Sequence, residues 1–546
     1  LFANHSKLKV IQFLSDNNKL DIETENHSWD PLFQLKVIVL SNCNLNKLTG
    51  NFPKFLLDQH ELEVVDISHS KLNGSFPIWL LENNTGLQQL NLRSNSFTGE
   101  FHLPSDHYMN LRWLDLSENH FDGKLQENIG KWIPKLEYLN LSHNQFEGNL
   151  PPSIGDMSNL WVLDLSFNNF SGEVPMELVA NYTSLQVLSL SNNNFHGEIF
   201  SKPFNLFLLS LELQNNNFTG ALPVVHLKVY RGLNISNNHM TGTIPQWIVN
   251  RSTSPKFFVD LSSNSFEGQI PCGLASSDTI NLSHNLLSGL LPSCLNLQDV
   301  RHLLLEGNKL TGSLPKAILN SSSLVTLDIG DNRFTGSIPD EIVGLSNLRL
   351  LSLSGNHFSG VISKQLCRLK RIGIMDLSNN SLSGSIPYCF NNISFGKLAT
   401  SGFVYTRGVF FPSPMFSFPY KSLLYRDFLI EGSSFHYYVP VEINYEGNPF
   451  LCGAPLKKSC IDTDESPPSS QKSSKANDGR WYEVDLLAFF TSFLVSCIIF
   501  FLGVVSVLYI NPHWRQQCFN LVEDRMHWCY FFALNTLKEL SSRMCH

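Results

Sequence analysis

Six aspartates, Asp66, Asp115, Asp164, Asp260, Asp328 and Asp376, each stand between two apolar residues, and in number they resemble a supply of general acids and bases. They recur one at a time along a repeating pattern, so they read as the solvated face of a sheet and not as a catalytic pair. Three histidines, His69, His143 and His284, share one slot of that pattern. Their units are not neighbours, so they cannot converge on a metal; they read as solvent-facing polar residues, not pH sensors. The final residues, 511–546, contain no glycine-rich loop, no His-Arg-Asp and no Asp-Phe-Gly, and are too short for a kinase fold. No catalytic, cofactor-binding or metal-binding residue is assigned, no cofactor is expected, and the chain is expected not to be an enzyme.

The elements that place these residues are repeats. Asparagines fall at 95, 119, 144, 168, 193, 216, 238, 264, 285, 308, 332, 356 and 380, and two earlier copies carry Cys43 and Ser70 at that position. One copy reads Leu111-Arg112-Trp113-Leu114-Asp115-Leu116-Ser117-Glu118-Asn119. Alternating leucines predict a strand with its apolar face inward, and the asparagine is expected to satisfy buried backbone groups of adjacent coils. Phenylalanines two places on (Phe97, Phe121, Phe146, Phe170, Phe195, Phe218) are expected to stack coil on coil. This phrase is that of a leucine-rich repeat. Its second half, as in Gly172-Glu173-Val174-Pro175 and Gly336-Ser337-Ile338-Pro339, resembles the plant-specific class. The resemblance implies an α/β solenoid with a concave parallel β-sheet, a second sheet on the convex side and a superhelical twist. Such an array is a recognition surface before it is anything else.

Composition agrees with an exterior location. Of 546 residues, 16% are charged, and the net charge of −8 offers no footprint for nucleic acid. Fourteen Asn-x-Ser/Thr sequons occur, at Asn4, Asn26, Asn73, Asn83, Asn140, Asn169, Asn181, Asn217, Asn234, Asn250, Asn281, Asn320, Asn379 and Asn392. All precede the long apolar stretch, which favours the secretory pathway. Three of them, Asn140, Asn234 and Asn281, take the outward strand slot, where glycans would obstruct the concave sheet. Cys272 with Cys294 and Cys367 with Cys389 lie one coil apart, and Cys452 and Cys460 bracket a short loop, so all three pairs are disulfide candidates. Cys43 is expected to be a buried free thiol. For a ligand, outward aromatics are the candidates: Trp113, Tyr138 and Trp161 in three consecutive coils, with Phe167 beside the last.

Residues 486–510 carry no charge and are long enough to cross a bilayer. Flanking charges leave orientation open; sequons and cysteines place the repeats outside, as in a single-pass type I protein. On this helix Ala488, Ser492, Ser496 and Gly503 form a small-residue face suited to helix association. The chain divides into a truncated N-terminal repeat (1–34), leucine-rich repeats (35–390), an irregular island (391–444), a terminal cap (445–461), an acidic and polar spacer (462–485), the membrane helix (486–510) and a short cytosolic tail (511–546).

That order, with the cap phrase Tyr445-Glu446-Gly447-Asn448-Pro449-Phe450-Leu451-Cys452-Gly453 and the juxtamembrane phrase Tyr509-Ile510-Asn511-Pro512-His513-Trp514-Arg515, resembles the plant receptor-like proteins. The resemblance implies a plasma-membrane receptor for microbial or developmental signals. It would bind an extracellular peptide, protein or glycan and signal through adaptor and co-receptor leucine-rich-repeat kinases, with no nucleic-acid partner. Family members resume with further repeats after the island. Here Val441-Glu442-Ile443-Asn444 runs straight into the cap, so the cap is expected to cover an island instead of a coil. The chain also opens inside a repeat, at Leu1-Phe2-Ala3-Asn4, and reads as lacking its front end. A secreted wall-type inhibitor and a non-signalling truncated or decoy product stay open as alternatives.

Overall fold

The computed structural model describes residues 5–392 apart from short segments at 15–19, 26–31, 105–107, 181–183, 202–206, 225–227, 249–256, 273–276 and 296; within the island, only the backbone of four short strands; and 443–452, 456 and 460. All belong to one contact unit, Leu1–Ile461; the second, Asp462–His546, lies outside the described residues. So does 486–510: among the described residues no helix is long and apolar enough to cross a membrane.

Among the described residues seventeen strands form one parallel sheet in chain order, from Val10–Leu14 through Trp113–Asp115 to Ile374–Asp376 and Ile443–Asn444. Its inner face is the leucine face: Leu114, Leu139, Leu163 and Leu188 are fully buried and pair in register across adjacent coils. Short helical turns such as Ile129–Trp132 and Pro152–Asp156 return the chain on the other side. These turns pack so closely that a Cβ on Gly130 would collide with the Ser153 carbonyl oxygen.

Between sheet and turns runs an asparagine ladder. The Asn119 amide donates to the carbonyls of Leu92 (3.0 Å) and Leu116 (3.1 Å), while its Oδ1 accepts from the Phe97 N–H (3.1 Å). Each rung therefore satisfies groups of two coils that would otherwise be buried and unpaired, at roughly 1–3 kcal/mol each. Where serine replaces asparagine, the Ser70 hydroxyl still reaches the Leu40 carbonyl (2.8 Å). Cys43, buried with a free thiol, lies 3.4 Å from the Ser41 carbonyl oxygen. Beside the ladder the phenylalanines stack, with centroids 6.0–6.3 Å apart from Phe97 to Phe218. Met240 ends the run; Phe334 and Phe358 stack again farther on.

The terminal cap differs from expectation. Met375 and Asp376 pair with Ile443 and Asn444, and Phe450–Cys452 pairs with Ser381–Ser385. Asn448 takes the ladder position, donating to the Leu377 carbonyl (2.9 Å) and accepting from the Leu382 N–H (3.0 Å). Leu451 fills the phenylalanine slot, buried. The cap phrase is thus a repeat coil laid directly on the preceding one. The island enters as an insertion between the turn Tyr388–Asn392 and the strand Ile443–Asn444, not as a layer beneath the cap. Cys272–Cys294 and Cys367–Cys389 are disulfides joining adjacent coils (Cα–Cα 5.5 and 6.0 Å), and Cys452–Cys460 closes the cap (5.0 Å).

Candidate binding surface

Two outward rows cover the concave sheet, one on each side of the central strand leucine. The first runs Val37, Val64, Gln89, Trp113, Tyr138, Val162, Val187, Ser210, Gly232, Phe258, Thr279, His302, Thr326. The sequence reading treats Trp113 and Tyr138 as exposed, and the structure corrects it. Their rings, each residue 3% exposed, stack at 3.6 Å and 3°, and the buried Val162 and Val187 close the cluster. Coils about 4.8 Å apart bring neighbouring rings face to face, so an outward direction is not a free surface. Trp161 is corrected too. Tyr138 pairs with Val162, which leaves Trp161 one position earlier, half-buried against the cluster. Phe167 belongs to neither row. It occupies the slot before the asparagine, with φ of 54°, is 43% exposed and stacks on His143 at 4.1 Å. The four aromatics therefore do not form one surface.

The second row reads Asp66, Asn91, Asp115, Asn140, Asp164, Ser189, Glu212, Asn234, Asp260, Asn281, Leu304, Asp328, Ser352, Asp376, Asn444. Asp115, Asp164, Asp260 and Asp328 are buried, not solvated as the pattern suggests. Each carboxylate turns back on its own chain. Asp115 accepts from the Ser117 N–H (3.0 Å) and hydroxyl (2.6 Å), and Asp260 does the same with Ser262. Burial raises Asp115, Asp260 and Asp328 to about 6 and raises Asp164; Ser117 and the nearby Arg93 charge partly offset this at Asp115. Within this row no two acids occupy adjacent coils. Doubling their separation halves the like-charge repulsion, and the intervening residues are uncharged.

Asn140, Asn234 and Asn281 sit in the same row, so the expectation of glycans across the concave face is also revised. All three are buried, and their Oδ1 atoms accept from the N–H of Ser142 (2.9 Å), Ser236 (3.1 Å) and Ser283 (3.1 Å). The repeat uses Asn-x-Ser as a local hydrogen-bonded turn, which mimics a sequon. Asn73, Asn169, Asn320 and Asn379 are exposed and Asn83 and Asn217 half-buried; Asn4, Asn26, Asn181 and Asn250, and the side chain of Asn392, lie outside the described residues.

The middle of the sheet departs from the regular pattern. Strand Lys228–Asn234 carries an extra residue against Phe207–Glu212, at Tyr230-Arg231, and Ser277–Asn281 is irregular against Phe257–Asp260. The second sheet breaks at the same place, between Asn217–Phe218 and Thr241–Thr243, which are joined by the single bridge Ala221–Thr241. Bulges re-aim side chains, and here Tyr230 (46%) is exposed at the bulge and Phe207 (52%) opposite Lys228, while Gly232 leaves the row without a side chain. Sequence reasoning missed these residues. The available signal was the spacing, since Asn216, Asn238, Asn264 and Asn285 are 22, 26 and 21 residues apart. Among the described residues no group of histidine, cysteine or acidic side chains could hold a metal.

Ladder, spine and continuous concave sheet define a leucine-rich-repeat protein, and leucine-rich-repeat families match residues 109–170, 184–206, 298–358 and 372–393. Its sequence relatives are plant receptor-like proteins. Receptor-like protein 13 of Arabidopsis thaliana is 49% identical over 133 residues, covering 24% of this chain and 12% of that relative. Cuscuta receptor 1 of Solanum lycopersicum is 32% identical over 332 residues, 60% of this chain and 29% of that relative. The chain thus matches less than a third of the length of either. The Arabidopsis receptor kinase HAESA, solved with the peptide hormone IDA and the co-receptor SERK1, superposes with a TM-score of 0.58 at 30% identity, over 66% of this chain and 60% of that one.

Proposed function

We propose that this chain is a single-pass receptor-like protein of the plasma membrane. Its repeats bind an extracellular ligand, residues 486–510 cross the bilayer, and a partner kinase supplies the signal. The names of its relatives and its likeness to a receptor kinase solved with a peptide hormone and a co-receptor support this reading. A peptide is the favoured ligand. The observation that carries the seat is the bulged centre of the concave sheet, where Tyr230 is exposed two residues before Gly232 and Phe207 is exposed on the paired strand. Exposed aromatics are the usual anchors of binding interfaces, and a glycine in a strand lets another backbone approach closely. The cap's direct pairing with a repeat coil supports a folded ectodomain over a damaged product.

The test is to express the tagged chain behind a secretory leader in plant cells and measure surface delivery and co-purified leucine-rich-repeat kinases. The expected result is surface protein carrying a kinase, with association reduced, at unchanged surface level, when Ala488, Ser492, Ser496 and Gly503 are replaced together by leucine. Release into the medium would favour a wall-type inhibitor. Retention inside the cell would favour a non-signalling product, and unchanged association would remove the helix face.

A further inference from the structure

Phe167 is out of place by ordinary rules. A bulky apolar side chain stands at positive φ, where the other coils put asparagine, histidine, serine, acidic residues or glycine. The left-handed conformation is strained for any residue with a Cβ, and strain of this kind persists where something is gained by it. One part of the ring is covered by His143, and 43% of the side chain remains exposed.

Two residues on stands Asn169, the acceptor of the sequon Asn169-Phe170-Ser171. Between them Asn168 turns inward, its amide donating to the carbonyls of Leu141 (2.9 Å), Leu165 (3.2 Å) and Ser166 (3.1 Å). Phe167 and Asn169, on either side of it, are both exposed. Among the other described sequons, Asn73 donates to the Thr49 carbonyl, Asn83 to the Leu57 carbonyl, and Asn217 to Asn194, while the exposed Asn320 and Asn379 resemble Asn169. The Asn169 side chain is exposed, and its amide makes no hydrogen bond to any described residue. The two-residue spacing recurs at Tyr138 and Asn140, but there both are buried. At the other exposed sequons the residue two places before is Lys71, Ile318 or Leu377.

We propose that Phe167 is the seat of the chain's own carbohydrate: the first N-acetylglucosamine of a glycan on Asn169 lies against the exposed part of the Phe167 ring. A pyranose presents a face of C–H bonds, partly positive, and the aromatic face is partly negative, so the two attract and shed water together. The occupant offsets both the exposed ring and its strained backbone. This rests on the reading that the chain passes through the secretory pathway. It removes Phe167 from the ligand surface and leaves that role to the bulged centre.

The test uses the full chain made as an oligomannose glycoform, as wild type, Phe167→Asn, Asn169→Gln and the double variant. Asparagine is the residue of the same slot at Asn192, Asn215 and Asn237, so Phe167→Asn relieves strain without a fold penalty. Glycopeptide mass spectrometry should find Asn169 and Asn320 occupied and Asn140 empty. Under native conditions an endoglycosidase cutting within the glycan core should release the Asn169 glycan about fivefold faster from Phe167→Asn, with Asn320 unchanged. The melting temperature should fall with Phe167→Asn when Asn169 is glycosylated, and hold or rise in the Asn169→Gln background. Occupied Asn320 with Asn169 empty, or a release rate and melting shift indifferent to Phe167, would overturn the inference alone. Absence of glycan at Asn320 and Asn379 as well would overturn the secretory reading with it.

Discussion

The coils before and after Phe218 are written in one repeat phrase and present different surfaces. From Phe97 to Phe218 every coil adds a ring to the spine and the second sheet runs unbroken. Past Phe218 the spine passes to Met240, the second sheet restarts at Thr241, and the concave strand Lys228–Asn234 bulges. In the regular region the stacked strand aromatics Trp113 and Tyr138 end buried; at the bulge past Phe218 Tyr230 stays exposed. Regular pitch lets like residues in adjacent coils cover each other. An extra residue inside a strand, as at Tyr230-Arg231, interrupts that mutual cover, and the exposed side chain there is one a partner can reach.

The largest effect expected from this contrast lies in the spine. Phe146→Ala should cost about 4 kcal/mol, because the ring is fully buried between two others, and Met240→Ala, at the end of the stack, about 2–3 kcal/mol. Urea unfolding of the full chain in detergent measures both. Equal losses would mean that the spine's end is no weaker than its middle.

A sharper form compares outward aromatics. Trp113→Ala should destabilise by about 3 kcal/mol, while Tyr230→Ala should stay within about 0.5 kcal/mol and lose ligand binding instead. If Tyr230→Ala destabilised as much as Trp113→Ala, the distinction between covered and free aromatics would fail.

A further effect is pH-dependent and sits in the acid row. Asp260 is raised from 3.8 to about 6 by burial, so between these values the native state holds more protons than the unfolded one. Stability conferred by the protonated form is therefore present below pH 4 and is lost as pH rises through 6. Asp260→Ser, which copies Ser189 and Ser352 in the same row, should gain relative to wild type by about 2–3 kcal/mol between pH 4 and pH 7.5. Denaturation midpoints at the two pH values measure it, and a pH-independent difference would show that Asp260 is effectively solvated.

Much of this was legible in the residues. The asparagine positions foretold the ladder, and the phenylalanines two places on foretold the spine, because each serves its immediate neighbour one coil away. The aspartates and the sequons at Asn140, Asn234 and Asn281 mislead for one reason. An outward strand position was taken as a wet one, whereas Ser117, Ser142 and Ser262 fold their neighbours' oxygens back onto the backbone. Trp161 was misaligned because register depends on which leucine pairs with which, and Leu139 pairs with Leu163. The cap was read as separate because more than fifty residues divide Asn391 from Asn444, and a pattern read along the chain does not cross an insertion.

What the sequence determined by itself was the repeating unit, since leucine alternation, the turn asparagine and the stacking ring act within one or two coils. What only the tertiary structure decided was exposure: which aromatics cover each other, which carboxylates are dry, and where the coil after Asn392 resumes. Exposure depends on the register of every coil against the next, and that register is a sum over neighbours that no single repeat contains.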